Sequence, residues 1–178
     1  MVAKWYFYKK TITMAQITLG GNPAETIGNI PANGTKAPEF ELTTVELGSM
    51  KLSDFAGSKL VLNIFPSVNT GVCSASVRAF NAKAAALDNT KVLCISRDLP
   101  FAQQQFCAAE GLEDVIMLSD FKTHQFGKDY GLEMSTSAFQ GLLSRVVLVV
   151  DENGTVVYGE QVPEIGQEPD YGAALNAL

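Results

Sequence analysis

Apolar residues fall into two kinds of run along this chain. Lys59-Leu60-Val61-Leu62-Asn63-Ile64-Phe65 is nearly continuous and reads as a central strand, and Arg145-Val146-Val147-Leu148-Val149-Val150 is a second long one. Val92-Leu93-Cys94-Ile95 and Val115-Ile116-Met117-Leu118 are shorter runs of the same type. Phe40-Glu41-Leu42 and Lys51-Leu52, by contrast, are short alternating stretches around the turn-rich Leu47-Gly48-Ser49. Gln16-Ile17-Thr18-Leu19 followed by Gly20-Gly21-Asn22-Pro23 reads as a strand and the turn of a hairpin.

Between these runs the period lengthens to that of helices. The strand at 59–65 stops at Pro66, and the loop Ser67-Val68-Asn69-Thr70-Gly71 leads to a helix with Val77, Phe80, Ala84 and Leu87 on one face. A second helix is predicted from about Leu99-Pro100 to Glu110, closed by Gly111, and a short third one from His124 to about Tyr130 before Gly131. Thr155-Val156-Val157-Tyr158 returns after Asp151-Glu152-Asn153-Gly154, whose Asn-Gly step favours a hairpin turn, and the last residues look helical. Strand and helix alternating implies parallel crossovers, and the late hairpin adds antiparallel strands. The expected class is therefore α/β, with a mixed central sheet, helices on both faces and an N-terminal β-hairpin, which is a thioredoxin-like fold.

Composition narrows the partners. With 178 residues, 47% hydrophobic and 18% charged, the chain is expected to form one domain with a substantial core, and it shows neither repeats nor low-complexity segments. Its formal net charge of -6 and unclustered basic residues argue against a nucleic-acid binder. No apolar run approaches the ~18 residues of a membrane span, and the first thirteen residues lack the pattern of a signal peptide, so a cytoplasmic protein without membrane partners is expected. Residues 1–13 are basic and aromatic and are read as an N-terminal extension, with 14–178 as the domain and Met14 as a candidate start; without Lys4, Lys9 and Lys10 the net charge is -9.

The chemistry rests on three cysteines, at 73, 94 and 107, none spaced as C-x-x-C. Cys94 lies inside an apolar strand, where a thiol behaves as a small hydrophobe. Cys107 follows Gln103 and Gln104 by four and three residues and precedes Glu110 by three, while Ala102, Phe106 and Ala109 are predicted to form the apolar face; Cys107 is thus expected off the core side. Cys73 falls in the first turn of its helix, where free N–H groups and the helix dipole favour a thiolate. It also lies on the stripe of Val77, Phe80 and Ala84, so a core contact and a nucleophile remain equal readings on pattern alone. The preceding loop, with Pro66 at the strand exit and the Thr70 hydroxyl three residues before the sulfur, favours the nucleophile.

Pro66, Thr70 and Cys73 resemble the Pro-x-x-x-Thr-x-x-Cys signature of peroxiredoxins. Asn63-Ile64-Phe65-Pro66-Ser67, Thr70-Gly71-Val72-Cys73, Ser76-Val77-Arg78, Asp98-Leu99-Pro100-Phe101-Ala102-Gln103, Phe106-Cys107 and Glu168-Pro169-Asp170-Tyr171 are similar to the text of bacterial thiol peroxidases, the atypical two-cysteine branch, from about Met14 onward. The resemblance implies that Cys73 is the peroxidatic thiol, Thr70 and Arg145 its activating neighbours, Pro66 a shield, and Cys107 the resolving thiol of a Cys73–Cys107 disulfide. It further implies reduction of hydrogen peroxide and alkyl hydroperoxides past an apolar collar, thioredoxin as reductant, and a homodimer. Arg78, five residues after Cys73, is a competing guanidinium.

Such chemistry needs no metal or organic cofactor. A thiol of pKa ~8.5 is about 3% ionised at pH 7, so complete ionisation gains only about 30-fold, and further acceleration must come from donors aimed at the departing oxygen. Two rival functions fit the same fold. A dithiol oxidoreductase would need a second cysteine where Ser76 stands, and a noncatalytic binding module would not need Pro66, Thr70, Cys73 and Arg145 together.

Overall fold

In the computed structural model, which describes residues 14–178, the two kinds of apolar run become two kinds of strand. The elements in order are β1 (Gln16–Leu19), β2 (Asn22–Glu25), β3 (Glu41–Thr44), β4 (Ser49–Lys51), β5 (Lys59–Ile64), α1 (Gly71–Ala84), β6 (Thr90–Ser96), α2 (Pro100–Glu110), β7 (Ile116–Ser119), α3 (Gln125–Asp129), β8 (Val146–Val150), β9 (Val156–Gln161) and α4 (Tyr171–Asn176). The main sheet has seven strands in the order β4-β3-β7-β6-β5-β8-β9, and β1 pairs with β2 apart from it. β5, β6 and β7 run parallel, while β8, β9, β3 and β4 add antiparallel pairs. The sheet is mixed, as the order of patterns predicts. The expected extension at 1–13 lies outside the described residues.

The long runs occupy the middle of the sheet because both their faces are covered. Alternation along β5 sends Leu60, Leu62 and Ile64 into one apolar cluster and Val61 into the other, where Phe65 follows. The first cluster is capped by Phe126 of α3 with Tyr130, Leu132 and Leu143. The second is capped by Val77, Phe80 and Ala84 of α1 and by Ala174 of α4, with Phe106 and Cys107 of α2 packed against it. Two crossovers of the same hand from β5 through β6 to β7 place α1 and α2 on one face, which leaves the other to α3. Among the described residues no helix is long and apolar enough to cross a membrane.

Three local expectations change. The hairpin turn is Gly20-Gly21 alone, both at positive φ, and Asn22-Pro23 already belong to β2, a strand with an open edge that tolerates the missing proline N–H. His124 stands before α3 as its N-cap, in the left-handed conformation, rather than inside it. The larger correction concerns α2. Its inward positions are Pro100 and Gln103, with Cys107 half-buried on the same side, whereas Ala109 is exposed. Hydropathy alone sends Gln103 outward, but its Nε2 donates to Ser96 Oγ and to the Leu118 carbonyl, both at 3.0 Å, so the amide is hydrogen-bonded inside. Cys107, one turn later, is rotated toward the core with it.

Candidate active site

The carboxyl ends of β5 and β6 and the start of α1 converge on one sulfur. β5 ends at Ile64, and after Phe65 and the buried Pro66 the chain makes a turn over 67–70, closed by Thr70 N–H to the Ser67 carbonyl at 3.3 Å. Thr70 is the N-cap of α1, with an extended backbone, and Cys73 is its third helical residue. This local geometry makes 70 and 73 neighbours. The Thr70 Oγ1 to Cys73 Sγ distance is 2.7 Å.

Cys73 is fully buried (0% exposed); it packs with Val77 and Phe80 and also meets polar groups. Arg145, immediately before β8 and 2% exposed, donates from Nη2 to Cys73 Sγ at 3.3 Å and from Nε to the Ile165 carbonyl at 2.8 Å. Its Nη1 is buried with no hydrogen-bond partner among the described residues. The competing guanidinium is elsewhere: Arg78 pairs with Glu110 of α2 at 3.2 Å on the surface. Ser76, at the place of a dithiol enzyme's second cysteine, is buried and donates to the Cys73 carbonyl at 2.8 Å.

The three cysteines are free and differ in setting. Burial pushes the Cys94 thiol up to about 12, against a hydrogen bond from Asn63 that acts in the other direction. That keeps Cys94 protonated and unreactive. Burial also pushes the Cys107 thiol up, and its carbonyl accepts the closing hydrogen bonds of α2 from Gly111 and Leu112. Cys107 therefore sits in the helix's last turn, which Gly111 ends in the left-handed conformation.

Sequence reasoning missed the groups behind the first contacts. Asp98, just past β6, receives Ser67 Oγ at 2.7 Å, Val68 N–H at 2.8 Å and Ser96 Oγ at 2.7 Å. A carboxylate two residues after a parallel strand, beside the loop at the neighbouring strand's carboxyl end, is the available signal, since open α/β sheets build their sites there. The Ile165 carbonyl that orients Arg145 leaves no trace in a hydropathy pattern.

A thioredoxin-like sheet with a buried thiol at a helix N-terminus, touched by a hydroxyl and a guanidinium, defines the redoxin class, and residues 32–175 match the Redoxin family. Over 165 residues the chain is 54% identical to the thiol peroxidase of Corynebacterium glutamicum and 52% identical to that of Mycobacterium tuberculosis, alignments that cover 93% of this chain and 99% of each relative. A peroxiredoxin-like protein from Aquifex aeolicus superposes with a TM-score of 0.86 at 34% identity, over 92% of this chain and 95% of that one. The thiol peroxidase from Chromobacterium violaceum shares the fold, with a TM-score of 0.82 at 21% identity over 89% and 91% of the two chains. The chain belongs to the thiol peroxidase family of peroxiredoxins, and is a peroxidase that reduces peroxide at the expense of thiols.

Proposed function

We propose that Cys73 is the peroxidatic thiol and Cys107 the resolving one, and that the enzyme reduces hydrogen peroxide and alkyl hydroperoxides and is recycled by thioredoxin. The observation that carries this reading is the buried guanidinium of Arg145. A buried cation is costly unless paired, and among the described residues Arg145 has no carboxylate within ion-pair distance. Among the described residues the one anion-forming atom it hydrogen-bonds is Cys73 Sγ.

The thiolate attacks one peroxide oxygen, the O–O bond breaks, and the departing oxygen leaves with the electron pair and takes up a proton. Charge grows on that oxygen, and the donors beside the sulfur, the Arg145 Nη1 group and the Thr70 hydroxyl, stabilise it without reorganisation. Pro66, buried at the end of β5, helps keep water from the sulfur. The product is a Cys73 sulfenic acid. Cys107 condenses with it, expelling water and forming the Cys73–Cys107 disulfide, which a dithiol reductant then opens. Since Cys107 is half-buried within a regular last turn, unwinding of that turn both frees its sulfur and lowers the burial that disfavours its thiolate. A cytoplasmic homodimer fits this reading. Leu99 and Phe101, 52% and 61% exposed beside Asp98, are suited to an apolar collar completed by a second copy.

Intact mass and peptide mapping after one equivalent of peroxide test the assignment. The wild-type chain should lose two hydrogens and yield a 73–107 cross-linked peptide. Cys107→Ser should consume the same equivalent rapidly, gain one oxygen at Cys73, and progress to sulfinic acid with excess peroxide, while turnover with thioredoxin collapses. Cys73→Ser should lose the first step. A burst that survives in Cys73→Ser and vanishes in Cys107→Ser would reverse the two roles.

A further inference from the structure

The Thr70 hydroxyl has two neighbours in reach, Cys73 Sγ at 2.7 Å and the Ser67 carbonyl at 3.3 Å, and one hydrogen to give. Which of them it serves depends on where the 67–70 turn sits. That turn is short, and its polar anchors outside itself converge on Asp98. One carboxylate oxygen takes the Ser67 hydroxyl and the other takes the Val68 N–H, while the Ser67 oxygen in turn accepts the Asn69 N–H at 3.1 Å. Three successive residues of the turn are thus tied, directly or through Ser67, to one side chain just past a different strand. Val68 adds an apolar anchor, being 2% exposed in the core beneath α1.

The carboxylate is itself held. Ser96 Oγ donates to it and accepts from Gln103 Nε2, and Gln103 also donates to the Leu118 carbonyl, so Asp98 is braced against β7 and α2. Each donor around Asp98 faces an oxygen, and no cation pairs with it among the described residues. Its role is geometric rather than that of an ion-pair partner.

We propose that Asp98 is the positioning residue of the peroxidatic site: it fixes the 67–70 turn so that the Thr70 hydroxyl faces Cys73 Sγ, and it does so without touching substrate or sulfur. This rests on the reading of Cys73 as the attacking thiol. A sign distinguishes the proposal from simple electrostatics. Removing a negative charge near a thiol would by itself favour the thiolate and move Cys73 alkylation to lower pH. Loss of the Thr70 donor does the opposite.

The test measures the single-turnover peroxide burst and the pH profile of Cys73 alkylation, read by peptide mapping, in Asp98→Ala, Asp98→Asn and Ser67→Ala. Asp98→Ala should slow the burst about tenfold, the scale of a lost charge-assisted hydrogen bond, and shift alkylation to higher pH. Asp98→Asn keeps one oxygen for Val68 and Ser96 and can donate to Ser67, so it should recover most of the rate; a smaller slowing, about threefold, is expected for Ser67→Ala. A folded Asp98→Ala with the wild-type burst and profile, a shift to lower pH, or an Asp98→Asn as slow as Asp98→Ala would each overturn the proposal. Should Asp98→Ala fail to fold, Ser67→Ala decides: an unchanged burst and profile refute the positioning role. Cys73→Ser run alongside separates the two failures, because a burst surviving there refutes the Cys73 reading itself.

Discussion

Two guanidiniums lie buried among the described residues, and the company they keep is opposite. Arg97, with a side chain 4% exposed, meets Asp120 at 3.2 Å and Glu133 at 2.9 Å, and donates further to the Gly141 and His124 carbonyls. Asp120 also accepts the Phe126 and Gly127 N–H groups at the start of α3. Burial raises the Asp120 carboxyl above its ordinary value, while the Gly127 amide, Arg97 and the Phe126 amide oppose that shift. Among the described residues Arg145 meets one carbonyl and one sulfur, and its Nη1 has no partner. A charge completed by fixed partners is architecture, whereas one left incomplete beside a thiol has donors free, as the proposed attack at Cys73 requires.

Arg145→Met breaks the comparison most severely on the chemical side. Loss of the donor to the departing oxygen should slow the first attack by about 10²–10³-fold, and more than the reduced thiolate fraction explains. Rate against pH, corrected by the alkylation profile, checks this. Stability should be unchanged or improved, because the sulfur left behind can take a proton and become neutral. If corrected rates coincide, Arg145 acts on ionisation alone.

Arg97→Met should do the converse. It strands Asp120 at a position where three groups were arranged around a charge, and urea unfolding should show a loss of about 3–5 kcal/mol. The burst rate of the folded fraction should stay near wild type. A variant that is stable but slow would mean that Arg97 belongs to the site.

How much of this contrast was legible in the chain depends on sequence separation. Thr70 and Cys73 are three apart, so a helix start is enough to bring them together, and the strands around them follow from runs such as Leu60–Ile64. Arg145 is 72 residues from Cys73, and its place at the site was read from the family resemblance, not from periodicity. The Arg97 network spans 23, 36 and 44 residues and was not anticipated. Gln103 shows the general reason. Hydropathy patterns assign polar side chains to water unless a partner is known, and the partners of Gln103, Arg97 and Asp98 include groups from distant segments that only the assembled fold supplies. The same blindness turned Cys107 to the wrong side of α2.

Cys94→Ser sharpens the comparison among the thiols. Cys94 is as buried as Cys73, but among the described residues it receives only an amide, from Asn63 at 3.6 Å, and no cation. Turnover at a temperature where the variant is folded should be within about twofold of wild type, with stability lower by about 1–2 kcal/mol for the buried hydroxyl. A collapse of turnover would place Cys94 in the cycle.

A last, small effect reaches Arg145 from the outside. Glu164 accepts from the Gly21, Gly166 and Gly20 amides and the Thr18 hydroxyl, which holds the β1–β2 hairpin against the segment after β9. The Gly21 and Gly166 amides lead these donors in lowering its carboxyl from 4.5 to about 2. Because the folded value lies below the unfolded one, the stability it contributes is complete above about 4.5 and is lost as pH falls through about 2. Its neighbour Ile165 donates its N–H to the Thr18 carbonyl and offers its own carbonyl to Arg145 Nε, so the hairpin and the guanidinium share one brace. Acidification from pH 5 to below pH 2 should therefore speed hydrogen exchange at Gly20 and Gly21, measured relative to the intrinsic rate at each pH, before the β5 and β8 amides respond. Glu164→Gln should show that faster exchange already at neutral pH, with a burst slowed by no more than about threefold, since Arg145 retains its contact with the sulfur. Equal exchange in the variant and the wild type would show that the hairpin is held by its strand pairing alone, and a burst as slow as that of Arg145→Met would make this half-buried carboxylate part of the site.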